Sequence, residues 1–68
     1  MGAEGSSLQY RAGVAECASD VVEGLPPRYL AGEARDNARA FAAEGDEGGT
    51  RFWIGYADAA RLWERGNG

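Results

Sequence analysis

The chain has no histidine and a single cysteine, Cys17, in 68 residues. That removes the two staples small domains rely on, since a lone thiol closes no internal disulfide and no zinc-type ligand set remains. A domain of ~60 residues buries only about 60% of the surface its unfolded chain exposes, so its stability is marginal without such help. What is left is tight helix packing, self-association or a partner protein. The cysteine count also fits a reducing compartment, because secreted domains of this size are normally cysteine-dense. No basic stretch leads into an apolar one as in a signal peptide, and no apolar run nears the ~18 residues that span a bilayer. The expected location is therefore cytoplasmic, without membrane attachment. Hydrophobic residues make up 44% of the chain and are regularly spaced, which excludes a disordered acidic tail.

Two turn signals divide the sequence. Gly24-Leu25-Pro26-Pro27 offers a glycine for a left-handed C′ position and prolines suited to opening the next helix. Gly45-Asp46-Glu47-Gly48-Gly49 offers a second closing glycine. Asp46 follows as an N-cap, and Asp46 and Glu47 complement the positive end of the next helix dipole. Residues 1–7 are rich in Gly and Ser and read as a flexible N-terminal arm, with Ser6 or Ser7 placed to cap the first helix. Residues 66–68 read as a frayed C-terminus, which leaves 8–65 as the single domain.

The spacing predicts three helices, over about 8–23, 27–44 and 47–65. Tyr10, Val14, Cys17, Ala18 and Val21 share one face of the first. Leu30, Ala34, Ala38 and Phe41 form the stripe of the second, and Phe52, Trp53, Tyr56, Ala59, Ala60 and Trp63 that of the third. Period-two alternation fails throughout and β-branched residues are few, so strands are not expected. Short connections favour antiparallel neighbours. The expected fold is all-α, a small three-helix bundle with the aromatic third helix in the groove between the first two. The alternative is a helical hairpin whose splayed helix completes its core in a dimer. The expected core is Tyr10, Val14, Cys17, Val21, Leu30, Ala34, Phe41, Phe52, Tyr56 and Trp63.

Catalysis has little to work with, and the chain is not expected to be an enzyme. The commonest general base is absent, the serines lack an activating partner, and mid-stripe Cys17 reads as a small buried hydrophobe. The carboxylates of residues 44–47 fall short of the six or more oxygens a hard cation requires. They would repel phosphate, and the stretch lacks the lysine of a phosphate loop. No cofactor, metal or small-molecule substrate is expected. A helix-turn-helix DNA regulator is a further alternative, with Arg51, Arg61 and Arg65 on the third helix in its support. A net charge of −4 and an aromatic would-be recognition helix argue against direct nucleic-acid contact.

Several apolar side chains fit none of the three stripes well. Tyr29 falls beside Glu33 and Asp36, Ile54 on the side of Asp58, Arg61 and Arg65, and Leu62 on the flank of its stripe; Trp53 lies at the stripe edge. These four are the expected partner-binding residues, Trp and Tyr being enriched in binding hot spots. The expected function is that of a small, acidic, non-enzymatic protein–protein interaction module: an adaptor, an accessory subunit or an inhibitor of a larger protein, with self-association included. A second acidic feature is the ridge Glu16, Asp20 and Glu23, read as joined by Glu44, Asp46 and Glu47. It supports an alternative in which the surface imitates nucleic-acid phosphates and inhibits a nucleic-acid-binding protein, as phage anti-defence inhibitors do.

From Pro27-Arg28-Tyr29-Leu30-Ala31-Gly32-Glu33-Ala34-Arg35 through Gly45-Asp46-Glu47-Gly48-Gly49 to Phe52-Trp53, about residues 27–56, the chain resembles a family of short all-helical alphaproteobacterial proteins. That family shares a Pro-x-aromatic-aliphatic-Ala pattern, a Gly-Asp-Glu-x-Gly turn and a tryptophan-bearing last helix. The resemblance implies a small helical domain and no particular activity.

Overall fold

Two glycines in the left-handed region set the topology: Gly24 at φ 102° and Gly45 at φ 78°. A side chain at either place would be strained, and glycine closes the helix there without cost. The Gly24 N–H donates to the Val21 carbonyl and the Leu25 N–H to that of Asp20. The Gly45 N–H donates to Ala42 and the Asp46 N–H to Phe41 in the same way. Both are Schellman closures, which satisfy carbonyls that a helix end leaves orphaned.

The computed structural model describes the backbone of residues 2–67 and the side chains of residues 8–66. It contains three helices, α1 (Gly2–Val22), α2 (Pro27–Ala43) and α3 (Glu47–Asn67), and among the described residues no strand. The fold is the expected three-helix bundle. α1 begins at Gly2 rather than near residue 8, so Ser6 and Ser7 lie inside the helix and do not cap it. Met1 of the expected arm and Gly68 of the expected frayed end lie outside the described residues. Pro27 occupies the first turn of α2. Asp46 caps α3, its Oδ1 accepting from the Gly49 N–H at 2.9 Å. No described helix is long and apolar enough to cross a membrane.

α3 is the central element. It packs along both α1 and α2, which meet each other only marginally. α2 runs antiparallel to it, with Arg28 beside Glu64 at one end and Phe41 against Gly49 at the other. α1 runs in the same sense as α3, with Gln9 near Gly48 and Val14 beside Leu62. The result is an elongated bundle with extents of 36 × 22 × 18 Å.

What brings α1 so near α3 is a pair of buried glycines. A Cβ on Gly13 would lie 1.9 Å from the Phe52 carbonyl oxygen, and one on Gly55 would lie 2.1 Å from that of Tyr10. The two backbones touch, and only glycine permits it. Two tyrosine–aspartate bonds fasten the crossing. The Tyr10 hydroxyl donates to Asp58 Oδ2 at 2.7 Å, and the Tyr56 hydroxyl donates to Asp20 Oδ2.

The core is small and rich in alanine: Cys17, Leu30, Ala34, Tyr56, Ala57, Ala59 and Ala60, with Val21, Ala31, Phe52 and Trp53 packed against it. Phe52 and Trp53 meet edge to face with centroids 5.0 Å apart, and Trp53 lies 5.2 Å from Tyr56. Such pairs contribute about 0.5–1.5 kcal/mol beyond area burial.

Six expected core residues stand differently. Tyr10, Val21, Phe41 and Phe52 are half-buried, Val14 is 37% exposed and Trp63 38%. The glycine crossing explains Val14: α1 meets α3 through Gly13 and Cys17, which turns Val14 to the edge. Trp63 lies two turns beyond Tyr56, where its neighbours Val14, Ala59 and Gly66 are too small to enclose an indole.

Candidate functional site

The structure does not gather the four expected partner-binding residues on one surface. Trp53 turns inward and stacks in the aromatic cluster. Tyr29 stands exposed on α2. Ile54 is half-buried at the rim of an open hollow of about 600 Å³ between the end of α2 and the start of α3, with Ala42, Asp46, Thr50 and Arg51. Leu62 stands apart from these, on the α1 side of α3.

Around Leu62 there is a site that sequence reasoning only half identified. Val14 from α1 and Ala59, Leu62, Trp63 and Gly66 from α3 line an open cleft of about 370 Å³. Leu62 is 64% exposed, and Val14 and Trp63 each more than a third. Three of the large exposed hydrophobic side chains therefore meet at one place. α3 brings Leu62, Trp63 and Gly66 within one turn, while Gly13 sets how close Val14 comes. The signal was present in the sequence as glycine three residues after an aromatic, Tyr10 before Gly13 and Phe52 before Gly55.

The acidic groups are also arranged differently from expectation. Glu16 and Glu23 are exposed, but Asp20 is partly buried and holds the Tyr56 hydroxyl. Asp46 is occupied as the cap of α3. The ridge and the Glu44–Glu47 cluster are not joined. α1 runs from Gln9, which neighbours Gly48, to Glu23 at the other end. At 1.5 Å per residue that is about 21 Å.

Titration follows the same geometry. The bond to Asp58 raises the Tyr10 pKa, with smaller contributions from desolvation and the carboxylate charge. Burial pushes the Tyr56 phenol far above its ordinary range, and the bond to Asp20 adds to this. Burial likewise raises the Cys17 thiol, helped by the nearby Asp20 charge, so the nucleophilic thiolate is disfavoured. Among the described residues no three His, Cys, Asp or Glu side chains stand close enough to share one ion.

Fold and site together define a class, an all-helical bundle in which three of the large exposed hydrophobic side chains, Val14, Leu62 and Trp63, line a cleft between two parallel helices. No protein-family model, curated protein or solved structure shows significant similarity to the chain.

Proposed function

We propose that this chain is a non-enzymatic protein-interaction module of the cytoplasm, an adaptor, accessory subunit or inhibitor that works by presenting the α1–α3 cleft. The observation that carries the reading is the exposure of Val14, Leu62 and Trp63 around one cleft in a molecule whose core is otherwise largely alanine. A chain so short of apolar bulk gains most by burying a leucine and a tryptophan, at about 1.5–3 kcal/mol for a fully buried large side chain. The likeness to the short alphaproteobacterial family, over about residues 27–56, stands beside this reading as a proposal and adds no activity to it. The phosphate-imitating alternative draws less support, because Asp20 is held by the Tyr56 hydroxyl and Asp46 is occupied as the cap of α3.

The test is retention of a protein partner from nuclease-treated native-cell lysate by the wild-type chain and by Leu62→Ser. A specific partner held by the first and lost from the second, with equal circular dichroism, is the expected result. Salt-sensitive retention of duplex DNA, or no protein partner at all, sinks the reading.

A further inference from the structure

α1 belongs to the bundle through α3. The glycine crossing and both tyrosine–aspartate bonds join it to that helix, and it meets α2 only marginally. Each of these contacts links residues on opposite sides of the segment 23–26, which connects α1 to α2. The α3 of a second copy therefore offers α1 the same face and the same bonds.

The connecting segment turns at one residue. Pro26 is extended, at φ −69° and ψ 127°, and Leu25, which precedes it, is held extended by the proline ring. The reversal of direction rests on Gly24, at φ 102°. Nothing lies within 4 Å of the place a side chain would take there, so no packing secures it. Two backbone bonds do, from the Gly24 N–H to Val21 and from the Leu25 N–H to Asp20. Residues 23–26 are all exposed, and water replaces both bonds when the turn opens. Beside the turn stand two apolar side chains that the bundle leaves uncovered, Val22 at 80% exposure and Leu25 at 42%.

We infer that two copies of this chain exchange α1: Gly24 swings to an extended conformation in both, and the α1 of each packs on the α3 of the other. The exchange is reciprocal, so the dimer is closed and two-fold. Four residues span at most about 14 Å, so the two connecting segments run side by side at the two-fold axis. That brings Val22 and Leu25 of one copy against those of the other, a contact the closed chain lacks. The contacts between α1 and α3 are the same in both forms. Each Val14–Leu62–Trp63 cleft is then built from two chains, with Val14 supplied by the second copy. A closed chain presents its own α1 at an effective concentration of millimolar order, so exchange belongs to about that range. The pairing is independent of what the cleft binds.

Sedimentation equilibrium from about 10 µM to about 1 mM reads the pairing. Wild type is monomeric at the low end, approaches twice the chain mass at the high end and goes no further. Gly24→Val disfavours the left-handed turn about tenfold per chain and leaves the extended segment free. Each dimer relieves two turns, so the midpoint concentration falls about a hundredfold. Val22→Ser combined with Leu25→Ser raises the midpoint and leaves the helical circular dichroism of the monomer unchanged. Exchange itself is read by isotope-filtered NMR on a Gly24→Val dimer mixed from labelled and unlabelled chains, in which Gly13 of one copy contacts Phe52 and Tyr56 of the other. A wild type monomeric to about 1 mM overturns the inference. So does a Gly24→Val chain whose midpoint does not fall, or one that loses helix without dimerising. A dimer in which Gly13 contacts Phe52 and Tyr56 of its own chain alone overturns it too. The module reading is decided separately, by the lysate partner held through Leu62.

Discussion

Alanine at Gly13 and alanine at Gly32 are the same substitution in helices of the same protein, and they are expected to move stability in opposite directions. Around Gly32 nothing lies within 4 Å of the added methyl. Gly32→Ala therefore gains helix propensity alone, about 0.5–1 kcal/mol. At Gly13 the methyl would meet the Phe52 carbonyl oxygen at 1.9 Å, and the Phe52 carbonyl carbon and Tyr56 nitrogen at 2.9 Å. These are backbone atoms of a helix and do not swing aside. Reaching an ordinary contact of 3.4 Å requires α1 to withdraw by about 1.5 Å at the crossing. A withdrawal of that size stretches the Tyr10–Asp58 bond from 2.7 Å beyond hydrogen-bonding distance. Overpacking costs about 1–3 kcal/mol and a lost bond about 1 kcal/mol more, against a propensity gain of about 1 kcal/mol. The net expectation is a loss of about 1–3 kcal/mol. A domain of this length holds roughly 3–10 kcal/mol in all, so the loss is a large share. Urea titration followed by helical circular dichroism gives both values from the midpoints, provided the slopes agree. A Gly13→Ala midpoint equal to that of wild type or Gly32→Ala would refute the backbone crossing.

Three further outcomes follow from the same contacts. The raised pKa values of Cys17, Tyr10 and Tyr56 mean that the folded state holds protons the unfolded chain releases. Stability is then full below about pH 8.5 and falls as pH rises through the thiol and phenol range; urea midpoints between pH 8 and 11 should drop less in Tyr56→Phe than in wild type. Asp46→Ala removes the cap on α3 and should lower stability by about 1 kcal/mol, seen in the same titration and matched in sign by Asp46→Gly at a smaller size. Leu30→Ala, at a site 6% exposed, should cost about 2–4 kcal/mol. Trp63→Ala, at a site 38% exposed, should cost clearly less; the reverse order would show that the cleft is closed in solution.

Much of the architecture was legible because its signals are local. Gly24 and Gly45 close helices through a backbone conformation that a single residue type favours, and Pro27 and Asp46 open helices by single-residue chemistry. The helix count followed, as did the inward faces of Leu30, Ala34 and Tyr56. Contacts between helices were harder to read. The depth at which α1 approaches α3 depends on Gly13 and Gly55 meeting across more than 40 residues of sequence, and no periodicity within one helix reports that. This is why Val14 and Trp63 were placed in the core, and why Asp20 was placed on an open ridge instead of beneath the Tyr56 hydroxyl. For the candidate site, Leu62 was legible as an apolar residue off its stripe. Its companions were not, because their exposure is set by what the opposite helix fails to cover.

The central place of α3 also bears on how the chain is made. The bonds that fasten α1 join residues 48 and 36 positions apart, and α1 and α2 have little contact with each other to stabilise them first. A ribosome thus delivers both outer helices before the segment on which either can settle. Folding should wait for residues 47–67 to emerge and then proceed as one event. A fragment ending at Asp46 should show little helix in solution and gain it when a peptide of residues 47–68 is added in trans. Until the third helix appears, the nascent chain is open to whatever factor meets it.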